Sequence, residues 1–357
     1  MLSHKQVGWD TVAAGLAISF VTFVKIPFMP SQTLSMILGA ICAIFLPPGF
    51  GFGPEIFFYL MLPPIILRSG LEFEWEAIKP VWRTTLLFSF FGTLFSALFI
   101  FVGCSLYTDL NFHQCSHIGS VLSSTDPVST MAALKNSNLP RMISNALEGE
   151  ALTNDAVAAM LTHATSKNSM STSTTLLDII VGILTSLSIG AVGGFMFGGF
   201  DNTITILGMA TSLYACCELL DASGILCIFI FAITSRWRNQ PKALRTFVDI
   251  IADLADIYCM FAVGTEVIHL DISSFQTSIT IFISSVASRI IFVNGLGFAA
   301  GEGWKFYDLM FMGFSGARGA LSYALARSNG SNIGHIVLCV VLLSTLTTNI
   351  ITNILKH

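Results

Sequence analysis

Asp155 stands about fifteen residues into an apolar stretch that opens at Pro140. At 1.5 Å per residue that is roughly 22 Å along a helix axis, close to the middle of a bilayer. Asn154 precedes it, and Asp126-Pro127 is the other mid-span carboxylate, set where proline interrupts a helix. Two carboxylates close together in a low-dielectric medium cannot both ionise comfortably, so at least one is expected to hold a proton or a cation. Competition between those two ligands for one carboxylate is the simplest exchange chemistry. The donors at hand are the carboxylates, the hydroxyl or carbonyl of Thr125 and the amide of Asn154. These hard oxygens suit an alkali ion better than a soft metal, so Na+ at Asp155 and Asp126 is the expected ion. The alternative reading makes Asp155 a structural hydrogen bonder between helices.

A charge at the bilayer centre costs at least about 2.5–3.5 kcal/mol, which makes every intramembrane ionisable residue a functional candidate. Glu150 lies four residues before Asn154 on an adjoining helix face, and Arg289 sits mid-span with no partner nearby in sequence. A Glu150–Arg289 ion pair is therefore expected, holding helices together rather than carrying ions. The other reading is that Arg289 snorkels to an interface. Arg318, flanked by glycines, is expected to replace lost backbone partners at a broken helix or to offset acid charge. Asp249, Asp253 and Asp256 form one acidic stripe; Asp256 and Glu218 are expected to be buried partners, Asp249 a solvated loop-end charge. Glu148 and Glu266 lie toward span ends. His113, His117 and His163 show no metal pattern, and the eight cysteines read as small core residues rather than ligands or disulfides.

The elements that must position these groups follow from composition. Of 357 residues, 54% are apolar and 11% charged, with a mean hydropathy of +0.76. A soluble domain carries about 25% charged residues, so soluble, disordered and fibrous classes are excluded and an all-α polytopic membrane protein is indicated. A nucleic-acid partner is not expected. Apolar runs between turn residues give about thirteen spans: 9–26, 31–47, 54–71, 82–107, 117–134, 141–165, 175–199, 203–218, 222–236, 247–268, 275–299, 306–327 and 333–355. They are too long and too uniformly apolar for a β-barrel. With the N-terminus outside, inner loops receive Lys25, Arg68, Lys79, Arg83, Lys135, Arg141, Arg236, Arg238, Lys242, Arg245, Lys305 and Lys356. The outer side receives Lys5, Lys167 and Arg327, so the C-terminus is expected to be cytoplasmic. No removable leader is expected in Met1 to Asp10, and no soluble tail before His357.

Two spans are interrupted, the fifth at Ser123-Ser124-Thr125-Asp126-Pro127 and the twelfth at Gly313, Gly316 and Gly319. Broken segments in corresponding halves point to an inverted-repeat secondary transporter, not an enzyme, with its site at the midplane. The expected organisation is one transmembrane domain over 1–357: a first repeat at about 9–165, a linking helix at about 175–199 and a second repeat at about 203–355. A voltage sensor would need arginines three residues apart, and a channel would need repeated filter elements; the sequence has neither.

Several stretches, in order, resemble the monovalent cation/proton antiporter superfamily, in its sodium/proton exchanger branch. They are Leu62-Pro63-Pro64-Ile65-Ile66-Leu67, Thr125-Asp126-Pro127, Glu148-Gly149-Glu150-Ala151-Leu152-Thr153-Asn154-Asp155, Glu218 through Ser223-Gly224-Ile225, Ala287-Ser288-Arg289 and Gly316-Ala317-Arg318-Gly319-Ala320. The resemblance implies a homodimer in which a core domain with broken, crossing fifth and twelfth helices shifts against a dimerisation domain. It also implies electroneutral exchange of Na+ (or Li+) for H+, since the pair is Asn154-Asp155 rather than two aspartates. Transported ions, and no cofactor, are then the small-molecule partners, with lipid around the domain and the plasma membrane favoured over an organelle. Two positions depart from the family pattern. Ala151 replaces a serine, so Thr153, Ser124 or water is expected to supply the missing oxygen, and Arg68 stands where many relatives carry an acid. K+/H+ antiport and a sodium-coupled solute carrier on the same scaffold are the alternatives.

Overall fold

The computed structural model describes residues 4–23, 29–45, 52–126, 129–130, 140–166, 172–200, 202–236, 242–299, 305–328 and 333–354. Pro127, the loop residues Lys25, Lys135, Lys167, Arg238 and Lys356, and the side chain of Glu148 lie outside the described residues. All regular structure among the described residues is helical. The first helices are α1 (His4–Phe23) and α2 (Ser31–Ala43). Helix α3 runs through Pro54–Ile56, a π segment Phe57–Met61 and Leu62–Glu72. The π segment directly precedes Pro63 and Pro64, which supply no N–H to the turn before them; a wider turn absorbs that mismatch.

Helix α4 spans Trp75–Tyr107, starting seven residues before the expected 82. Asn111 and Gln114 form a reciprocal capping box at α5 (Phe112–Val121). After α5 the chain leaves the helix over Leu122 to Asp126, and Ser129 and Thr130 are helical again. The rest of the expected fifth span, to 134, lies outside the described residues. There follow α6 (Arg141–Ser166), α7 (Thr172–Phe197), α8 (Thr203–Leu219), α9 (Gly224–Arg236), α10 (Lys242–Thr265) and α11 (Phe275–Ala299). The expected twelfth span is two short helices, α12 (Phe306–Phe314) and α13 (Ala320–Ser328), separated by the glycine-bearing stretch Ser315 to Gly319. Helix α14 (Gly334–Ile354) is last.

By length and apolar composition, four described stretches suffice to cross a bilayer: Trp75–Tyr107, Ile180–Phe197, Phe275–Leu296 and Gly334–Ile351. Helices α6 and α10 do not read so simply, because they carry the acids. The helices pack in two groups. In one, α2 lies on α1 and α10, α3 on α9 and α10, and α9 on α7 and α8. In the other, α4 lies on α5 and α11, α6 on α5, α11 on α12 and α14, and α13 on α14. Leu16, Leu98, Phe195, Ile204 and Ile350 are exposed, giving the outer surface the apolar character that lipid requires. Within the first group α2 and α10 meet at Gly39 and Gly264, where a Cβ would lie 2.1 Å from the carbonyl oxygens of Phe261 and Met36 respectively. Such close backbone approach is how membrane helices gain dispersion contact without a hydrophobic driving force.

Candidate functional site

The two interrupted segments cross in the second helix group. The Asp126 N–H donates to Ala317 O at 2.8 Å, and the Thr130 hydroxyl donates to Ser315 O at 3.1 Å. The Asp126 carboxylate accepts from the Ser129 N–H at 2.9 Å and from its hydroxyl, so it caps the helical turn that restarts after the break. The approach leaves no room for side chains: a Cβ on Gly319 would lie 2.8 Å from Asp126 Oδ1, and one on Gly316 would lie 2.4 Å from Arg289 Cδ. Those glycines are therefore steric requirements of the crossing.

Arg318 satisfies the carbonyls that the break sets free. It is 1% exposed, and its guanidinium donates to the carbonyls of Ser123 and Ser124 and to Ser285 Oγ at 2.8 and 3.1 Å. Its own N–H donates to Ser344 Oγ, and its carbonyl accepts from Thr345 Oγ1. Among the described residues no carboxylate forms an ion pair with it, and every one of its guanidinium acceptors is neutral. Its positive charge is thus held at the crossing, within electrostatic reach of Asp155 and Glu150.

Helix α6 brings the remaining groups. Glu150 and Arg289 form a two-pronged ion pair, Nη1 to Oε1 at 2.6 Å and Nη2 to Oε2 at 3.0 Å, while Arg289 Nε donates to Met312 O. Both side chains are buried, so Arg289 does not snorkel. Asn154 Nδ2 donates to Thr125 Oγ1 at 2.5 Å, tying α6 to the unwound stretch, and its buried Oδ1 has no hydrogen-bond partner among the described residues. Asp155 is buried and within reach of the charges of Asp126 and Arg318. Among the described residues its carboxylate accepts no hydrogen bond. A buried carboxylate and, next to it in the sequence, an amide oxygen with no partner among the described residues, with charges of both signs close by, make a setting that a small hard cation or a proton would complete.

Other expected members lie elsewhere. The Thr153 hydroxyl points to α4, donating to Ser89 Oγ at 2.6 Å and to Gly149 O at 2.7 Å, so it does not replace the oxygen missing at Ala151. Ser124 Oγ faces Ser322 Oγ at 3.4 Å. Glu218 is not a buried partner: it is exposed into a cavity of about 260 Å³ between the two helix groups and accepts from the Gly224 N–H at 2.8 Å, capping α9. Asp256 is buried as expected, but its partner is Arg68, which also reaches Asp253. Sequence reading missed Ser129, Ser285, Ser344 and Thr345. The spacing Asp126-x-x-Ser129 is a capping pattern, and Ser285 stands one turn before Arg289; both signals were present but common.

The chain has counterparts among known proteins. The family model for the transmembrane sodium/hydrogen exchangers matches residues 11–357. The chain belongs to this family. Among curated exchangers, human sodium/hydrogen exchanger 9 is 26% identical over 328 residues, covering 78% of this chain and 50% of the relative. Sodium/hydrogen exchanger 1 of Dictyostelium discoideum is 29% identical over 251 residues, covering 61% and 36%. The chain spans about half the length or less of these exchangers. In fold it resembles the sodium proton antiporter MjNhaP1 of Methanocaldococcus jannaschii, with a TM-score of 0.79 at 19% identity over 99% of this chain and 98% of that one. As an exchanger-family chain with long apolar helices, it is an integral multi-pass membrane protein.

Proposed function

We propose that the chain exchanges Na+ or Li+ for H+, one for one, at Asp155. The observation that carries this reading is the Asp155 carboxylate, buried on α6 and accepting no hydrogen bond from the described residues, next to an Asn154 Oδ1 with no partner among them and to the Asp126–Ala317 crossing. With a proton or an alkali ion bound, Asp155 is neutral and its passage through low dielectric is cheap; empty and ionised, it is strongly disfavoured there. That difference couples the two fluxes, because only a loaded site can change sides. Asn154 adds no titratable charge, so each cycle moves one positive charge in each direction and none overall. Asp126 and the Thr125 oxygens complete the ion's surroundings, Arg318 holds the crossing, and Glu150–Arg289 braces it.

The second helix group, α4 to α6 with α11 to α14, serves as the moving core; α1 to α3 with α7 to α10 form the panel at which two copies dimerise. The two interrupted segments stand in corresponding places of two inverted repeats, with α7 linking them. No cofactor is needed for this cycle. The loop charges favour an outer N-terminus and a cytoplasmic C-terminus; residence in the plasma membrane is part of the proposal.

The test is a cation-triggered pH change in proteoliposomes carrying the purified protein, run with Na+, Li+ and K+ and a membrane-potential probe. Na+ and Li+ are expected to drive H+ flux without a potential, and Asp155→Asn to abolish it in a folded protein. An Asp155→Asn protein that exchanges at the wild-type rate defeats the assignment. Flux with K+ alone establishes a K+/H+ antiporter instead, and flux only with an organic solute a symporter.

A further inference from the structure

Arg68 lies four residues before the end of α3, with its side chain 12% exposed. Its guanidinium forks between two aspartates of α10: Nη1 to Asp253 Oδ1 and Nη2 to Asp256 Oδ2, each at 2.5 Å. The two acids differ in setting. The Asp253 side chain is 69% exposed, whereas Asp256 is buried and lies within electrostatic reach of Asp126 at the crossing. Charges of alternating sign therefore run from solvent inward: Asp253, Arg68, Asp256. Beyond them stand the acids of the ion site.

Packing alone does not call for this cluster. One turn before Arg68, Ile65 already buries itself against Ala252 and Ala255 of α10. A buried ion pair next to such a contact carries a desolvation cost that an apolar pair avoids. The C-terminal end of α3 is also secured without it, since Arg236 donates to Phe73 O and Arg245 to Leu71 O. What the cluster does supply is a fixed positive charge on Asp256, an acid that lies within electrostatic reach of Asp126.

We propose that Arg68 is an affinity-setting countercharge: a tethered cation that occupies the carboxylate of Asp256 and so weakens the pull of the panel on Na+ or Li+ arriving at Asp155. The proposal rests on the antiport reading for its site. It gives the two members of one ion pair opposite effects. Arg68→Gln leaves Asp256 as an additional attractive charge and is expected to tighten cation binding roughly three- to tenfold. Asp256→Asn removes one negative charge from the cluster, leaving the guanidinium opposed by the exposed Asp253 alone, and is expected to weaken binding by a similar factor. The double variant returns to within about twofold of wild type, and Arg68→Lys stays close to wild type.

The measurement is Li+ and Na+ affinity of the purified protein by titration calorimetry, set beside the KM and kcat of H+ flux in proteoliposomes. A structural role would move both single variants in the same direction and lower kcat; that result, or unchanged affinities, overturns the proposal. If Arg68→Gln does not fold, Asp253→Asn removes negative charge at the exposed end of the same cluster, and its cation affinity must fall. Wild-type protein that binds cations without exchanging them defeats the antiport reading alone, and wild-type protein that binds none defeats both.

Discussion

A proton and an alkali ion that share one carboxylate must compete for it, and that competition fixes the sign of the pH response. As pH falls, protons occupy Asp155 and the apparent KM for Na+ rises; as pH rises, the KM falls to a plateau at which the cation meets little competition. Initial rates over a pH and Na+ grid check this, and a KM independent of pH on the acid side would sink it. Glu150 and Arg289 are subject to a different constraint. Removing one member of a buried pair leaves the other charged and unpaired, so Glu150→Gln is expected to destabilise the protein by about 3–5 kcal/mol. The double swap Glu150→Arg with Arg289→Glu recovers part of that loss, read as the thermal midpoint in detergent. This pair was legible in the sequence because a mid-span arginine has few acids to choose from. The partners of Arg318 were not, because they are backbone carbonyls and serine hydroxyls, which any sequence supplies in abundance.

Among the elements, the interrupted helices carry most of the argument. Proline at 127 and glycines at 313, 316 and 319 mark where they break, and the broken stretches fall at Leu122 to Asp126 and Ser315 to Gly319. Residue types do not reveal that the two breaks touch, since that contact is a backbone hydrogen bond between segments 191 positions apart (317 minus 126). Gly319→Ala tests the closeness of the crossing. Its new methyl meets Asp126 Oδ1 at 2.8 Å, so the segments must separate by several tenths of an ångström. Cation-driven flux is expected to fall at least tenfold while the helical content seen by circular dichroism stays the same. Unimpaired flux would show that the crossing tolerates a looser fit. Sequence reading placed the starts of α4 and α10 poorly, because Trp75 and Lys242 begin these helices in amphipathic turns outside the apolar core. It gave no sign of the π segment before Pro63.

At the scale of the whole molecule, the proposed exchange demands that the two helix groups slide past each other across a buried core they share, and polar contacts also cross between them. One is the bond from Asn349 Nδ2 on α14 to Thr33 Oγ1 on α2, at 2.5 Å. A Thr33→Cys, Asn349→Cys double variant should lose cation-driven flux when oxidised and regain it on reduction. Flux that persists through full cross-linking would mean that these groups do not move relative to each other. The Asp126–Ala317 contact has its own consequence for isotope labelling. Peptide N–H groups outside helices ordinarily give up their protons to heavy water within moments. The one on Asp126 is bonded to the carbonyl of Ala317, next to buried Arg318 and the carbonyls it binds, so this nominally irregular stretch should retain hydrogen as long as the helices around it.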